Sequence, residues 1–164
     1  MDNKIIIDAL VNCLGPDLLV VDENSDILTV TVSNGVIHDC IRFLKEDENL
    51  QFTFLTDLTG VHYPDEPLQL CTVYHLHNLQ KNKRIRVKTF VSINDPIVKS
   101  VTDIFSSANW MERETFDFYG IIFDGHPNLK RILNVEYMDY FPMRKEYPLE
   151  DQTREDKDDR YFGR

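Results

Sequence analysis

Two histidines two residues apart, His75 and His77, have the spacing from which a metal site could be built. Alternate residues of a strand project from one face, so a strand through this segment would aim two imidazoles at one ion. Two ligands do not hold a metal, and a third would have to come from a position such as His62 or Asp57, whose geometry the sequence does not fix. The plainer expectation is a pair of half-buried strand histidines with hydrogen-bond partners. The sharper alternative is a metal-dependent enzyme using His75, His77 and one carboxylate.

A denser polar cluster is Glu112-Arg113-Glu114 with Asp117, set among Trp110, Phe116, Phe118 and Tyr119. Carboxylates around an arginine in a dry setting could comprise a proton donor of raised pKa and an ionised base. Their spacing favours a structural role. Arg113 and Asp117 are four apart on what reads as a short helix after Trp110, and can pair along it, while the aromatic neighbours exclude water and favour mutual satisfaction of the charges. Downstream, Asp124-Gly125-His126-Pro127 reads as a tight turn, and Lys130-Arg131 with Arg144-Lys145 form a late cationic cluster. The six glycines fall in no phosphate-cradling pattern, no Gly-x-Ser-x-Gly elbow is present, and the cysteines are too dispersed for an iron–sulfur cluster. Catalytic and cofactor residues are therefore not expected in this chain.

These residues need elements to hold them. Ile6, Leu10, Cys13 and Leu14 recur at helical spacing before Gly15-Pro16, which predicts an amphipathic first helix over 3–14. Runs 17–22 and 27–32 around Glu23-Asn24-Ser25-Asp26 read as a hairpin. Ser33-Asn34-Gly35 offers a cap for a second helix burying Val36, Ile37, Cys40, Ile41 and Leu44. Three strand-like runs follow, 51–63, 68–79 and 84–93, the last two joined through Gln80-Lys81-Asn82-Lys83. In the last run Ile85, Val87, Thr89 and Val91 alternate with Arg84, Arg86, Lys88 and Phe90, giving one apolar and one largely cationic face. Asp95-Pro96 is expected to open a helix with Val98, Val101, Ile104 and Phe105 on one side. The fold expected is a single α+β domain over 1–149, with a mixed, mostly antiparallel sheet and helices packed on it. An extended C-terminal segment follows, ending in a polar tail, 150–164, to be ordered by a partner.

Bulk composition narrows the function. With 164 residues, 28 acidic and 18 basic side chains and a net charge of −10, the chain lacks the basic balance of a nucleic-acid binder. Its 42% hydrophobic content suits a globular domain. No apolar run approaches the ~20 residues of a membrane span, and the N-terminus lacks a signal-peptide layout, so a cytoplasmic protein is expected. Cys13, Cys40 and Cys71 are expected to be reduced core residues.

The charge is unevenly placed. Residues 1–67 hold 13 acidic and 3 basic side chains, and residues 68–164 hold 15 of each. The first part is expected to face solvent, and the balanced second part to face partners.

The run Glu112-Arg113-Glu114-Thr-Phe-Asp117-Phe-Tyr-Gly120-Ile, then Gly125-His126-Pro127-Asn-Leu-Lys130-Arg131-Ile-Leu133, then Pro142-Met-Arg144-Lys145-Glu-Tyr-Pro148-Leu149, resembles the signature of one family. That family is the C-type, thirty-kilodalton subunit of proton-pumping NADH:quinone oxidoreductase, respiratory complex I. The likeness extends from about Phe52 to Leu149 through FLTDLTGVHYP, VYHLHNL and RIRVKTFV. Met143 and Glu146 stand where Leu and Asp are more usual, and 134–141 (NVEYMDYF) is more individual. The resemblance implies a cofactor-free subunit of the hydrophilic arm, peripheral on the cytoplasmic side of the bacterial inner membrane and touching the membrane only through the complex. It implies packing against the D-type subunit and neighbouring arm subunits near the quinone-reducing module, with FMN, Fe–S clusters and quinone in those partners. Interface residues would then include Glu112, Arg113, Glu114, Asp117, Gly120, His126, Pro127, Lys130, Arg131, Arg144 and Lys145. Arg113, Arg131 and Arg144 would fork onto partner carboxylates, and Tyr161 and Phe162 would anchor the tail. A similar chain also occurs in membrane-bound hydrogenases and ferredoxin-dependent complexes, which is the alternative assembly.

Overall fold

The alternation along β5 (Lys83–Val91) organises the sheet. Ile85, Val87, Thr89 and Val91 are buried on one face, while Arg84, Arg86, Lys88 and Phe90 on the other stay at least partly exposed. The computed structural model, which describes residues 2–148, places β5 at the centre of a five-stranded sheet of order β1-β2-β5-β4-β3. β1 (Leu18–Asp22) and β2 (Leu28–Val32) form the expected antiparallel hairpin. β2 runs parallel to β5, whereas β3 (Phe54–His62), β4 (Leu70–Asn78) and β5 pair antiparallel, so the sheet is mixed.

Three helices bury their apolar stripes in one continuous core with this sheet. In α1 (Asn3–Leu14) the Asp2 carboxylate caps the first turn, and Gly15, at φ +53°, ends the helix as the sequence predicts. Ile6, Leu10 and Leu14 are buried, but Cys13 lies in solvent, a correction to its expected place in the core. One step of helical phase separates it from Leu14 and turns it outward. α2 (Ile37–Glu46) buries Ile37, Cys40, Ile41 and Leu44. Its start is a short 3-10 turn over 34–36, and Ser33 bonds the Asp17 carboxylate at 2.6 Å instead of capping the helix. α3 (Ala108–Tyr119) begins two residues before Trp110.

The helix expected after Asp95-Pro96 does not form. Residues Ile97–Lys99 are instead a short strand, β6, parallel to β7 (Ile122–Asp124), and an irregular loop follows. Backbone donors that a helix would use go elsewhere: Ser100 N–H to the Asp124 carbonyl at 2.8 Å and Val101 N–H to the Glu112 carboxylate at 2.7 Å. Val98, Val101, Ile104 and Phe105 all reach the core regardless, so the apolar spacing is a burial signal and not a helix signal. The loop is clipped to α2, where His38 Nε2 lies 3.0 Å from both Asp103 oxygens and Arg42 donates to Asp103 at 2.9 Å. After β7 the chain carries no helix or strand as far as Pro148, and this strap crosses α3. The expected tail, 150–164, lies outside the described residues.

Candidate docking site

α3 divides the signature residues among three faces. Ala108, Glu112 and Thr115 point into the core, Arg113 and Asp117 point to the strap, and Trp110 and Glu114 face solvent. Glu112 is fully buried and holds the loop after β6, accepting from Ser100 Oγ at 2.6 Å and Val101 N–H at 2.7 Å. Burial pushes its carboxyl up to about 7, against the pull of those two hydrogen bonds. A proton-carrying acid is therefore present in the cluster, but its oxygens are spent on the protein's own loop.

Arg113 and Asp117 share a helix face without pairing to each other, contrary to their helical spacing. Asp117, with no exposed surface, accepts at one oxygen from the successive N–H groups of Ile132, Leu133 and Asn134 at 3.1, 2.8 and 2.9 Å. Its other oxygen takes the Arg131 guanidinium at 2.8 Å and the Asn134 side chain at 3.1 Å. Burial alone would raise the Asp117 carboxyl, but the donors from Asn134, Arg131 and Leu133 prevail and hold it well below the usual carboxylate range. Arg113 donates to the Lys130 and Arg131 carbonyls at 3.2 and 3.1 Å and lies 4.9 Å from the Trp110 ring centroid.

Arg131 is the central clasp. Besides Asp117, it donates to the Met138 and Tyr140 carbonyls at 2.8 and 3.0 Å, closing the strap into a loop around its own guanidinium. At the helix end, Gly120 adopts φ +75°. A Cβ there would stand 2.5 Å from the Phe141 ring and 2.6 Å from the Arg144 guanidinium, so glycine is required both by backbone and by space. Arg144 donates to the Tyr119 carbonyl at 2.8 Å and covers Phe141 at 4.6 Å. The strap then reaches β3, where buried His62 Nδ1 lies 2.9 Å from the Lys145 N–H and 3.3 Å from the Glu146 carboxylate. His126 sits at the strap's start, with Nε2 3.0 Å from the Asn109 carbonyl and Nδ1 accepting from Asn128 N–H at 3.0 Å.

The expected interface residues thus divide, with Glu112 buried against the loop after β6 and the rest of the described ones in two sets. Arg113, Asp117, Gly120, His126, Arg131 and Arg144 are brought together as the internal fastening of the strap, and the fork contacts the three arginines make go to acceptors of this chain. Glu114, Pro127, Lys130 and Lys145 are exposed. Tyr161 and Phe162 lie outside the described residues. What the sequence reading passes over is the product of the fastening: Leu133, Val135, Tyr137, Tyr140, Met143 and Tyr147 stand exposed along the strap, Tyr137 by 87%, with Trp110 exposed by 61% beside them. Most lie in or next to 134–141, whose aromatic content is the available signal.

His75 and His77 meet the plainer expectation. Arg86 Nε donates to His75 Nε2 at 2.8 Å, Asp57 lies 3.4 Å from His75 Nδ1, and His77 Nε2 is 3.2 Å from Asn82 Oδ1. The His75 pKa is lowered by burial and by the Arg86 charge, against the pull of Asp57. Among the described residues no three His, Cys, Asp or Glu side chains are grouped to hold a metal ion, and no helix is long and apolar enough to cross a membrane.

Comparison with known proteins agrees with the signature. Residues 30–153 match the family model described as respiratory-chain NADH dehydrogenase, 30 Kd subunit. The chain is 45% identical over 122 residues to the C-type subunit of the NADH-quinone oxidoreductase of Caulobacter vibrioides, covering 74% of this chain and 61% of that protein. It is 49% identical over 109 residues to the C-type subunit numbered 2 of Rhizobium meliloti, covering 66% and 59%. The chain thus spans about three fifths of the length of these relatives. Among solved structures, a trypsin-resistant fragment of Nqo5 superposes with TM-score 0.62 at 29% identity, over 77% of this chain and 97% of that one. A chain of the membrane-bound sulfane sulfur reductase, an archaeal respiratory membrane complex, superposes with TM-score 0.72 at 25% identity, over 89% and 85%. The strap-fastening residues fall within the matched segment, and the chain belongs to the family of the 30 kDa subunit of respiratory-chain NADH dehydrogenase.

Proposed function

We propose that this chain is a structural subunit of the hydrophilic arm of a proton-translocating NADH:quinone oxidoreductase, peripheral on the cytoplasmic side of the bacterial inner membrane. In this reading it packs against the D-type subunit near the quinone-reducing module, and FMN, Fe–S clusters and quinone belong to partner subunits. The observation that supports a docking role is the strap, whose buried Asp117 and Arg131 fix an exposed row from Leu133 to Tyr147. Fixing a strip before association lowers the ordering cost of binding, and exposed Tyr and Trp side chains are strong anchors at interfaces. The test is to replace Leu133 and Tyr137 together by Asp in the native host. Both side chains are in solvent, so the isolated chain keeps its melting temperature, while recovery of the D-type partner with this chain is expected to fall about tenfold or more. Undiminished recovery would overturn the reading.

A second reading is the equivalent subunit of a membrane-bound hydrogenase or ferredoxin-dependent complex; the likeness to a chain of the sulfane sulfur reductase, a different respiratory membrane complex, is the reason to keep an assembly other than the NADH-linked one in view. The subunits that co-purify discriminate, since a flavin-bearing NADH module marks the first assembly and a nickel-ligating large subunit marks a hydrogenase.

A further inference from the structure

The outer face of the sheet, opposite the core, carries an apolar groove beside a row of cationic side chains. β1 is an edge strand, with Leu19 and Val20 exposed by 57% and 54%. Together with Thr31 on β2, Phe90 on β5, and Tyr63 and Leu68 from the β3–β4 connection, they line an open groove of about 510 Å3. Its lining includes one acid, Glu66. Along β5 this groove runs directly into Lys88, Arg86 and Arg84, which share Phe90's face. Arg86 is partly engaged, donating to His75 at 2.8 Å and lying 3.5 Å from Asp26. Among the described residues Arg84 and Lys88 have no carboxylate within ion-pair distance. A cationic row beside an apolar groove is thus set into a chain of net charge −10.

We infer that this face receives a segment of another protein subunit that presents carboxylates next to an aliphatic or aromatic side chain. The apolar side chain fills the groove at Leu19, Val20 and Phe90, and the carboxylates meet Lys88 and Arg84. Charge complementarity selects that occupant. A second copy of this chain would bring another net −10 to the surface, and three cations beside Asp57 and Asp26 do not make a phosphate-binding face. Arg86 and Lys88 are half-buried, and long cationic side chains so placed lay their methylene stems on apolar surface while keeping the charged end in solvent. The inference rests on the reading that the chain works inside an assembly, but it uses a face distinct from the strap.

The experiment uses the complex purified from membranes of the native host. A photo-crosslinking side chain is placed at Val20 and, in a second strain, at Tyr137, and a zero-length carbodiimide couples Lys88 to carboxylates in contact with it. The expected result is that Val20 and Lys88 both join one segment of another subunit, one that carries Asp or Glu beside an apolar residue. Lys88→Glu should then weaken retention of that neighbour in high salt about tenfold, and replacing the joined carboxylate by Lys should restore it. Crosslinks from Val20 or Lys88 back to residues 149–164 of this same chain would overturn the inference. So would crosslinks from Tyr137 with none from Val20 or Lys88, a pattern that leaves the strap reading intact. Absence of crosslinks from all three sites would overturn both.

Discussion

Glu112 and Asp117 are five residues apart on one helix, both fully buried, and their protonation is driven in opposite directions. Asp117 meets three backbone N–H groups and a guanidinium, so its charge is the reason the strap closes. Glu112 meets one N–H and one hydroxyl, too little to offset burial, and it titrates at about 7 instead of 4.5. Between those two values the folded chain keeps a proton that the unfolded chain has released. Stability therefore falls as pH rises through this window and is level above it, by on the order of 3 kcal/mol for a shift of this size. Glu112→Gln keeps the shape and the Val101 contact but removes the titration. Thermal melts from about pH 4 to about pH 8 should show the variant losing less stability than the parent between the unfolded and folded pKa values, and parallel profiles would refute this role. The identities of both acids were legible as a cluster, but their opposite behaviour was not. It depends on Ser100, Val101 and residues 131–134, which the sequence gives no reason to place there.

The sheet was the most legible element, because period-two alternation in β5 coincides with one buried face, whereas the first five residues of β4 are buried on both faces. α3 was legible as a helix and misleading as a set of contacts. Helical spacing pairs Arg113 with Asp117, yet acceptors and donors 14 to 18 residues downstream outcompete that partner. The strap has no periodicity, so its path could not be read in advance, and the aromatic content of 134–141 was the one signal of its exposed row. Its closure depends on the left-handed Gly120 at the end of α3. Gly120→Ala adds a methyl against Phe141 and Arg144 and strains a positive φ, together costing about 2–3 kcal/mol. The strap is the segment that yields, since the helix and β3 are held by the core. Limited proteolysis followed by mass spectrometry should find new cleavage confined to 125–148 with the sheet protected, and an unchanged digestion pattern would show that the fastening does not pass through Gly120.

On the scale of the molecule, charge is segregated along the chain, although the groove on the outer sheet face draws on both parts. The acidic excess sits in residues 1–67, which supply α1, α2 and the hairpin, while the strap and the cationic row of β5 come from the balanced remainder. That segregation was visible by counting; that the acidic part would line most of an apolar groove beside the cationic row was not, because β1 and the β3–β4 connection meet β5 only in the folded sheet. The strap also sets the lifetime of copies that find no partner. It has no helix or strand, and apart from the Met143 N–H bond to the Phe118 carbonyl its anchors to α3 and β3 are made through side chains, so it is expected to open locally before the sheet unfolds. Released, it is an aromatic-rich extended segment of the kind that proteases and chaperones bind, and breakdown of such a region follows its open population. Orphaned copies are therefore expected to be cleared several-fold faster than assembled ones in a pulse-chase experiment in cells lacking the proposed D-type partner. Equal half-lives would refute it. The surface read as an instrument of assembly would then also keep stoichiometry, with surplus copies degraded through the same residues that make the others permanent.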